Sequence, residues 1–307
     1  MIITGKKFSK PEMSRVKNGD IILKTEENTG KHERLDHILV RKYTKFNRST
    51  LQNFIKSGYV SVDGKIIKKP NTEIIVSDQN GKIEHDIQLK IPEKEQSVDL
   101  SPIKIYEDNN VLVLNKPAGL LSMAKGEFTT EPTLEDFGLL VHRLDRDTSG
   151  VVILAKNPST QSMLRRQFQD RKAHKTYYAV VDGVPKNQGA LIDLPIARNL
   201  KHPTTFRVDP NGKPAQTYYK VIKQNAKRSL LELKPVSGRT HQLRVHLKYI
   251  GCPIVGDKVY NQDSKAARLY LHAASLEITI PGQPNNERRI FEAPLPTEFK
   301  KQVDKAE

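Results

Sequence analysis

Two aspartates stand in a short polar segment that runs directly into an apolar strand: Leu139-Leu140-Val141-His142-Arg143-Leu144-Asp145-Arg146-Asp147-Thr148-Ser149-Gly150-Val151-Val152-Ile153-Leu154. A loop abutting a buried strand can hold a carboxylate rigidly and partly desolvated, which gives a catalytic aspartate a defined position and an altered basicity. Asp145 and Asp147 are the candidate carboxylates. The same residues also suit an Asx-turn closing a hairpin, with Thr148 and Ser149 satisfying backbone groups. Taken alone, the segment leaves both readings open.

A second candidate is Pro235-Val236-Ser237-Gly238-Arg239-Thr240-His241-Gln242-Leu243-Arg244-Val245-His246-Leu247. Its pattern predicts a helix carrying Leu243, Leu247 and Ile250, capped by Ser237 or Thr240, with Arg239, His241 and Arg244 in the first turns. His241 and His246 are five apart, about 140° around a helix, so one metal ion does not readily take both. No metal site is expected.

These segments sit in a strongly basic chain of 307 residues, long enough for one sizeable core plus a small accessory domain. Lysine and arginine total 51 against 35 acidic residues, a net charge of +16, which implies a polyanionic partner. Up to residue 97 there are 19 basic and 13 acidic residues, and the remainder is basic as well. An excess on both sides suggests an extended phosphate-tracking surface rather than one disordered tail. Cys252 is the single cysteine, so no internal disulfide or multi-cysteine metal site can form, and a reducing cytosol fits. No apolar run approaches membrane-spanning length, so the expectation is a soluble cytoplasmic protein, taken as a monomer.

Residues 1–32 are polar with little periodicity and read as a basic, loosely ordered extension, with room for a short strand at Ile21 to Leu23. Over 33–90, Leu35, Ile38, Leu39 and Tyr43 and then Leu51, Phe54 and Ile55 recur at helical spacing. Asn47 or Ser49 can cap the second helix and Gly58 can end it, and Tyr59 to Val62 and Lys65 to Ile67 flank Asp63-Gly64 as a hairpin. Residues 91–97 are proline-containing and charged, a linker, and 98–307 form the larger domain. There, strand patterns at 102–106, 111–115, 150–155, 177–182, 217–223 and 229–233 alternate with helical patterns near 158–170 and 240–250, a mixed α+β fold.

The helix, helix, hairpin order of 33–90 resembles the small RNA-binding fold first known from ribosomal protein S four, and Arg41, Lys42, Lys45, Arg48 and Lys56 decorate its helices. In that family such a face binds RNA. In the larger domain, four segments in order resemble the RluA family of pseudouridine synthases over about residues 100–280. They are Asn115-Lys116-Pro117-Ala118-Gly119-Leu120, then His142 to Gly150 with Ala155-Lys156, then Lys175 to Val181, then Gly238 to His246 with Gly256-Asp257 following. The aspartate segment and the Gly-Arg-Thr-His-Gln-Leu-Arg segment are long and compositionally unusual. One departure is visible: only 22 residues separate Gly119 from His142, and Leu121-Ser122-Met123-Ala124 stands where many members carry a His-Pro turn.

The resemblance implies a mixed, mostly antiparallel sheet with flanking helices and the conversion of specific uridines in structured RNA to pseudouridine, without cofactor or metal. Asp145 would free the uracil from its ribose so that the base can rotate and rejoin through carbon five. Arg244 would be its ion-pair partner, Tyr177 would stack on the uracil, and Arg143 would enter the RNA stack when the uridine flips out. Further RNA contacts would come from His142, Lys116, Arg239, Arg165, Arg166, Arg41, Lys42 and Arg48, and the basic run Arg171, Lys172, His174 and Lys175 reads as phosphate contacts. By analogy with bacterial members of the same two-domain arrangement, the target is large-subunit (23S) ribosomal RNA, with transfer RNA as the alternative. Two rivals are weaker. Asp145-Arg146-Asp147-Thr148 fits the Asp-x-Asp-x-Thr pattern of haloacid-dehalogenase-type phosphatases, but His142-Arg143 interrupt the strand before it and no acidic pair follows for magnesium. A non-catalytic ribosome-assembly protein explains the charge but not Asp145 together with Arg244 and Tyr177.

Overall fold

The computed structural model describes residues 31–76, 85–91, 99–124, 129, 131–282 and 285–304. The chain divides into two compact units between Pro92 and Glu93. The first unit carries β1 (Lys31–Arg34), α1 (Leu35–Lys42), α2 (Arg48–Ser57), β2 (Val60–Val62), β3 (Lys65–Ile66), β4 (Glu73–Val76) and β5 (Ile87–Leu89). Leu35, Ile38 and Leu39 of α1 and Leu51, Phe54 and Ile55 of α2 are buried, one apolar stripe per helix as their spacing requires. Asn47 caps α2 by accepting the Thr50 N–H, and Gly58 closes it. Val62 pairs with Lys65, leaving Asp63-Gly64 as a two-residue hairpin turn.

Of the extension expected over 1–32, only its last two residues lie within the described residues, and both belong to β1. Lys31 and His32 are ladder partners of Val76 and Ile75, because β1 pairs with β4, a strand 39 or more residues later that local periodicity does not reveal. The segments around Ile21 to Leu23 and 92–97 lie outside the described residues.

The second unit carries β6 (Lys104–Glu107), β7 (Val111–Lys116), β8 (Leu139–Leu140), β9 (Ser149–Ala155), α3 (Pro158–Gln169), β10 (His174–Asp182) and β11 (Gly189–Asp193). It continues through β12 (Ile196–Arg198), β13 (Phe206–Val208), β14 (Gln216–Gln224), β15 (Arg228–Pro235), α4 (Gln242–Tyr249), β16 (Leu271–Ile280), β17 (Glu287–Glu292) and α5 (Thr297–Asp304). The main sheet runs β11-β14-β15-β10-β16-β9-β7-β6, with β17 also on β16 and β8 on β9. Its pairings are antiparallel except β16 with β9. This is a mixed α+β architecture with a small α/β unit ahead of it. No helix among the described residues is long and apolar enough to cross a membrane.

Every residue of β9 is buried, and the reason fixes the site. Val151, Ile153 and Ala155 pack on one face with Val111, Val113 and Leu164, while Val152 and Leu154 pack on the other with Leu112, Leu114 and Leu134. A strand covered on both faces reads as a continuous apolar run and cannot shift register without burying its polar lead-in. Gly150 opens the strand at φ +114°, where a Cβ would come within 2.1 Å of the Ala273 carbonyl oxygen on β16. Only glycine lets β9 and β16 approach there.

Candidate active site

The loop after β7 and the loop before β9 are tied to each other around Asp145. Lys116, opposite Gly150 in the β7–β9 ladder, is fully buried, and its Nζ donates to the carbonyls of Pro117 (2.9 Å), Leu120 (2.8 Å) and Arg146 (2.8 Å). The Gly119 N–H donates to the same Arg146 carbonyl at 2.9 Å, and Arg146 Nε donates back to the Gly119 carbonyl at 3.0 Å. Ser122 Oγ donates to the Leu144 carbonyl (2.7 Å) and accepts the Leu144 N–H (3.2 Å). Both neighbours of Asp145 are thus fixed, and the Asp145 carbonyl accepts the Thr148 N–H at 3.1 Å to close the turn. This corrects the expectation for Lys116: it is no RNA contact but a clamp, with three ammonium donors meeting three carbonyls. Burial pulls its pKa down to about 7, against the opposing charges of Asp147 and Asp145.

Across from this loop, α4 presents Arg244, which is 8% exposed. Its Nε and Nη2 grip both oxygens of Asp257 (2.7 and 2.8 Å), and its Nη1 donates to Asp145 Oδ2 at 3.0 Å. The Asp257 side chain is fully buried, and its Oδ1 also accepts the Val259 and Tyr260 N–H groups at 3.0 Å each. Burial pushes the Asp257 pKa up, but Arg244 and those two N–H groups outweigh it and hold the carboxyl below its usual range. Arg244, desolvated yet embraced by carboxylates, is held above its usual range. The guanidinium is therefore a permanent cation anchored from behind by Asp257 through Nε and Nη2, with Nη1 turned to Asp145. Gly256 makes the anchor possible: at φ +76°, a Cβ there would lie 1.8 Å from the Arg268 carbonyl oxygen.

The entry into α4 differs from the expected cap. Neither Ser237 nor Thr240 occupies the N-cap; His241 does, at φ 55°, ψ 19°, without a side-chain cap bond. Gln242 works in their place from inside, its Oε1 accepting the Arg239 N–H (3.0 Å) and the Ser237 hydroxyl (2.7 Å) and its Nε2 donating to the Gln216 carbonyl (2.9 Å). The left-handed backbone at a non-glycine residue turns the His241 ring toward the site, with Nε2 3.8 Å from Asp145 Oδ2. Tyr260 Oη accepts the Phe206 N–H (2.8 Å) and lies 2.9 Å from His241 Nδ1, which fixes the plane of the imidazole beside Asp145. Burial lowers the His241 pKa while Asp145 opposes, so the ring is neutral at neutral pH.

Asp145, His241, Gln242 and Arg244 line a cleft of about 490 Å³ that also includes Arg143, Lys175, Tyr177 and Arg239. Burial, reinforced by the Asp145 charge, raises the Tyr177 phenol above its usual pKa, so it is a protonated hydroxyl beside a carboxylate. Asp145, Tyr177, Arg244 and Arg143, drawn from segments up to 101 residues apart, meet in this one cleft.

The remaining expected contacts separate into several settings. Arg143 is exposed, its Nη1 3.5 Å from Met123 Sδ, and Arg239 reaches the Pro214 carbonyl with Nε alone (3.1 Å). His142 lines the cleft: its Nε2 accepts the Ile153 N–H (3.1 Å) and its ring stacks on Phe168 at 4.5 Å, and burial with the nearby Lys175 charge lowers its pKa to about 3. It is a neutral wall of the cleft. Arg165 and Arg166 are exposed on α3, Arg165 donating to the Leu140 carbonyl at 3.2 Å. In the first unit, Arg41 is bidentate to Glu33 (2.5 and 2.6 Å), Lys42 donates to the Ile87 carbonyl (2.6 Å), and Arg48 grips Asp36 (3.0 and 3.1 Å). His241 and His246 diverge, His246 bonding Thr217 Oγ1 and the Leu194 carbonyl at 2.9 Å each.

Sequence reasoning gave no role to Asp257, Ser122 or Tyr260. A buried carboxylate behind an arginine leaves a faint local signal, Gly256-Asp257, and nothing in the spacing pairs it with Arg244.

Residues 110–249 match the RNA pseudouridylate synthase family and residues 33–80 the S4 domain. The chain is 36% identical over 283 residues to the ribosomal large subunit pseudouridine synthase D of Borreliella burgdorferi, covering 85% of this chain and 86% of the relative. It is 32% identical over 293 residues to the ribosomal large subunit pseudouridine synthase C of Vibrio vulnificus, covering 88% and 92%. Among solved structures, the human RNA pseudouridylate synthase domain containing 4 aligns with a TM-score of 0.55 at 25% identity, covering 67% of this chain and 93% of that one.

Proposed function

The chain belongs to the RluA-type RNA pseudouridine synthases carrying an S4 domain, and from that membership we propose that it isomerises uridines of large-subunit ribosomal RNA, with Asp145 as its catalytic carboxylate. The observation that carries the site assignment is the Asp145–Arg244 contact of 3.0 Å at the floor of the cleft. A carboxylate oriented through one oxygen by an anchored guanidinium keeps its second oxygen for the substrate. Both relatives named above for the large ribosomal subunit support the choice of RNA.

In this reading the target nucleotide leaves its stack and enters the cleft, because its ring is out of reach inside a helix. Arg143, exposed at the cleft edge, occupies the vacated space in the stack. Asp145 frees the uracil from C1′; the base turns, C5 joins C1′ in place of N1, and the C5 proton departs while N1 gains one. The reaction is a net isomerisation. Tyr177 stacks on the base, and its protonated hydroxyl is available at C5. His241, its Nε2 3.8 Å from Asp145 Oδ2, lines the same side of the carboxylate as Arg244.

The test uses purified protein with transcribed 23S and 16S ribosomal RNA and bulk unmodified transfer RNA, followed by carbodiimide treatment and primer extension. The expected result is a pseudouridine stop in 23S RNA. Stops in transfer RNA alone would overturn the choice of substrate while leaving the reaction in place.

A further inference from the structure

Lys175 stands two residues before Tyr177 on β10, and both line the cleft, whereas Thr176 and Tyr178 line a groove on the sheet's opposite face. Its side chain is largely desolvated, which lowers its pKa. Among the described residues its Nζ has neither a hydrogen-bond acceptor nor a carboxylate partner. Its neighbours are the Phe168 ring, 6.0 Å from Nζ to centroid, and Gly238, where a Cβ would stand 3.6 Å from Nζ. Lys116 shows what a buried ammonium in this same unit looks like when it serves the fold: three carbonyls for three donors. Leaving such a group unpaired costs stability, and it persists where an anion from outside completes it.

The anion has to reach Lys175 while a uracil lies against Tyr177. Alternate residues of a strand project to the same face about 6.7 Å apart. That is the scale separating a nucleobase from its own phosphate. Gly238 leaves the space beside Nζ free of a side chain, and the Arg239 guanidinium keeps donors beyond the one given to Pro214.

Resting on the reading of this cleft as the uridine site, we propose that Lys175 is the seat for the phosphate of the flipped nucleotide, binding it in the cleft and so setting how far the ribose advances toward Asp145. Lys175 is a positioning residue for the substrate; it takes no proton in the reaction.

The test compares Lys175→Met and Lys175→Arg. In an Asp145→Asn background, binding of a 23S fragment containing the mapped uridine is measured against salt. Lys175→Met is expected to raise Kd roughly tenfold and to reduce the slope of log Kd on log salt by roughly 0.7 to 0.9, one phosphate contact. Lys175→Arg restores most of that slope. With Asp145 present, the loss falls mainly on KM rather than kcat. Lys175→Met also raises the melting temperature, because an unpaired and partly desolvated charge is removed. A lower melting temperature with unaltered salt slope makes the lysine structural, and a loss confined to kcat makes it a group acting on the base; either result overturns the proposal. If the wild-type protein forms no pseudouridine in any RNA, the uridine reading itself fails and the phosphate seat falls with it. If wild type forms pseudouridine and Lys175→Met binds as its parent does, only the phosphate seat fails.

Discussion

Asp36 of the first unit and Asp145 of the second are both aspartates gripped by arginine, yet they are left in opposite conditions. The Asp36 side chain is fully buried and receives Arg34 Nε (3.0 Å), Arg48 Nη2 (3.0 Å) and Gln52 Nε2 (2.7 Å). Burial pushes its pKa up, and Arg34, Gln52 and Arg48 more than reverse the push. Asp145 is 22% exposed and takes a single N–H from an arginine whose Nε and Nη2 are given to Asp257. The first carboxylate is saturated and ties two helices and a strand end together. The second is oriented and left with capacity to spare. The same contrast separates Lys116 from Lys175. In this protein, stability and function are told apart by how completely a buried charge is satisfied.

The sharpest way to break that comparison is to neutralise both aspartates without changing their shape. Asp145→Asn is expected to lower the single-turnover rate by about 10⁴-fold or more, read as tritium release from 5-tritiated uridine RNA. Asp36→Asn loses stability in the first unit, followed by unfolding, without a rate loss of that order at saturating RNA. Equal rate losses from the two substitutions would erase the distinction, and so would an active Asp145→Asn.

Asp257 sharpens it further, being a saturated carboxylate that stands behind an unsaturated one. Asp257→Ala removes both oxygens that hold Arg244 and the acceptor of two backbone N–H groups. Breaking one side of such a buried pair costs ~3–5 kcal/mol, measured as a fall in the denaturant midpoint of the second unit. The rate falls as well, since Arg244 is free to swing fully onto Asp145. A variant that loses stability but keeps its rate would show that Asp145 needs no anchored partner.

Much of this was legible before the fold was known, for identifiable reasons. The β9 run, the α2 cap at Asn47 and the Asp63-Gly64 turn depend on neighbours in sequence, so pattern and turn chemistry suffice. Asp145 and Arg244 stood out because their segments are compositionally unusual, and they meet at 3.0 Å across 99 residues. What escaped depends on distant partners. Lys116 looked like an RNA contact because a lysine before a Pro-Ala-Gly turn carries no mark of the three carbonyls that fold around it. The cap of α4 was misplaced because Gln242 satisfies the helix entry from the buried side, and only tertiary packing holds His241 in its left-handed conformation. β16 and β17 do not stand out in the sequence because both mix polar and apolar positions, β17 at a largely exposed edge, whereas α5, a short C-terminal helix, is defined by what it packs on, Phe299 and Val303 being buried.

His142 gives the smallest effect and separates a cationic contact from a neutral wall. Its ordinary pKa is 6.5, and burial lowers it to about 3 in the fold, so between those values the unfolded chain binds a proton that the folded chain refuses. Stability from this group is complete above about pH 6.5 and is lost as pH falls toward 3. Because the side chain is half-buried rather than sealed, the loss by pH 4 is discounted to ~1–2 kcal/mol. His142→Gln keeps an acceptor for the Ile153 N–H but does not titrate. It is therefore expected to flatten the acid limb of the stability curve between pH 6.5 and 4 relative to the parent, with unfolding followed by denaturant at each pH. Asp36 and Asp257, held below the usual carboxylate range, lose their contributions only at lower pH and in both proteins alike. If the two curves run parallel through that window, His142 is already protonated in the fold, the Ile153 N–H has no acceptor there, and the ring is a cation available to RNA after all.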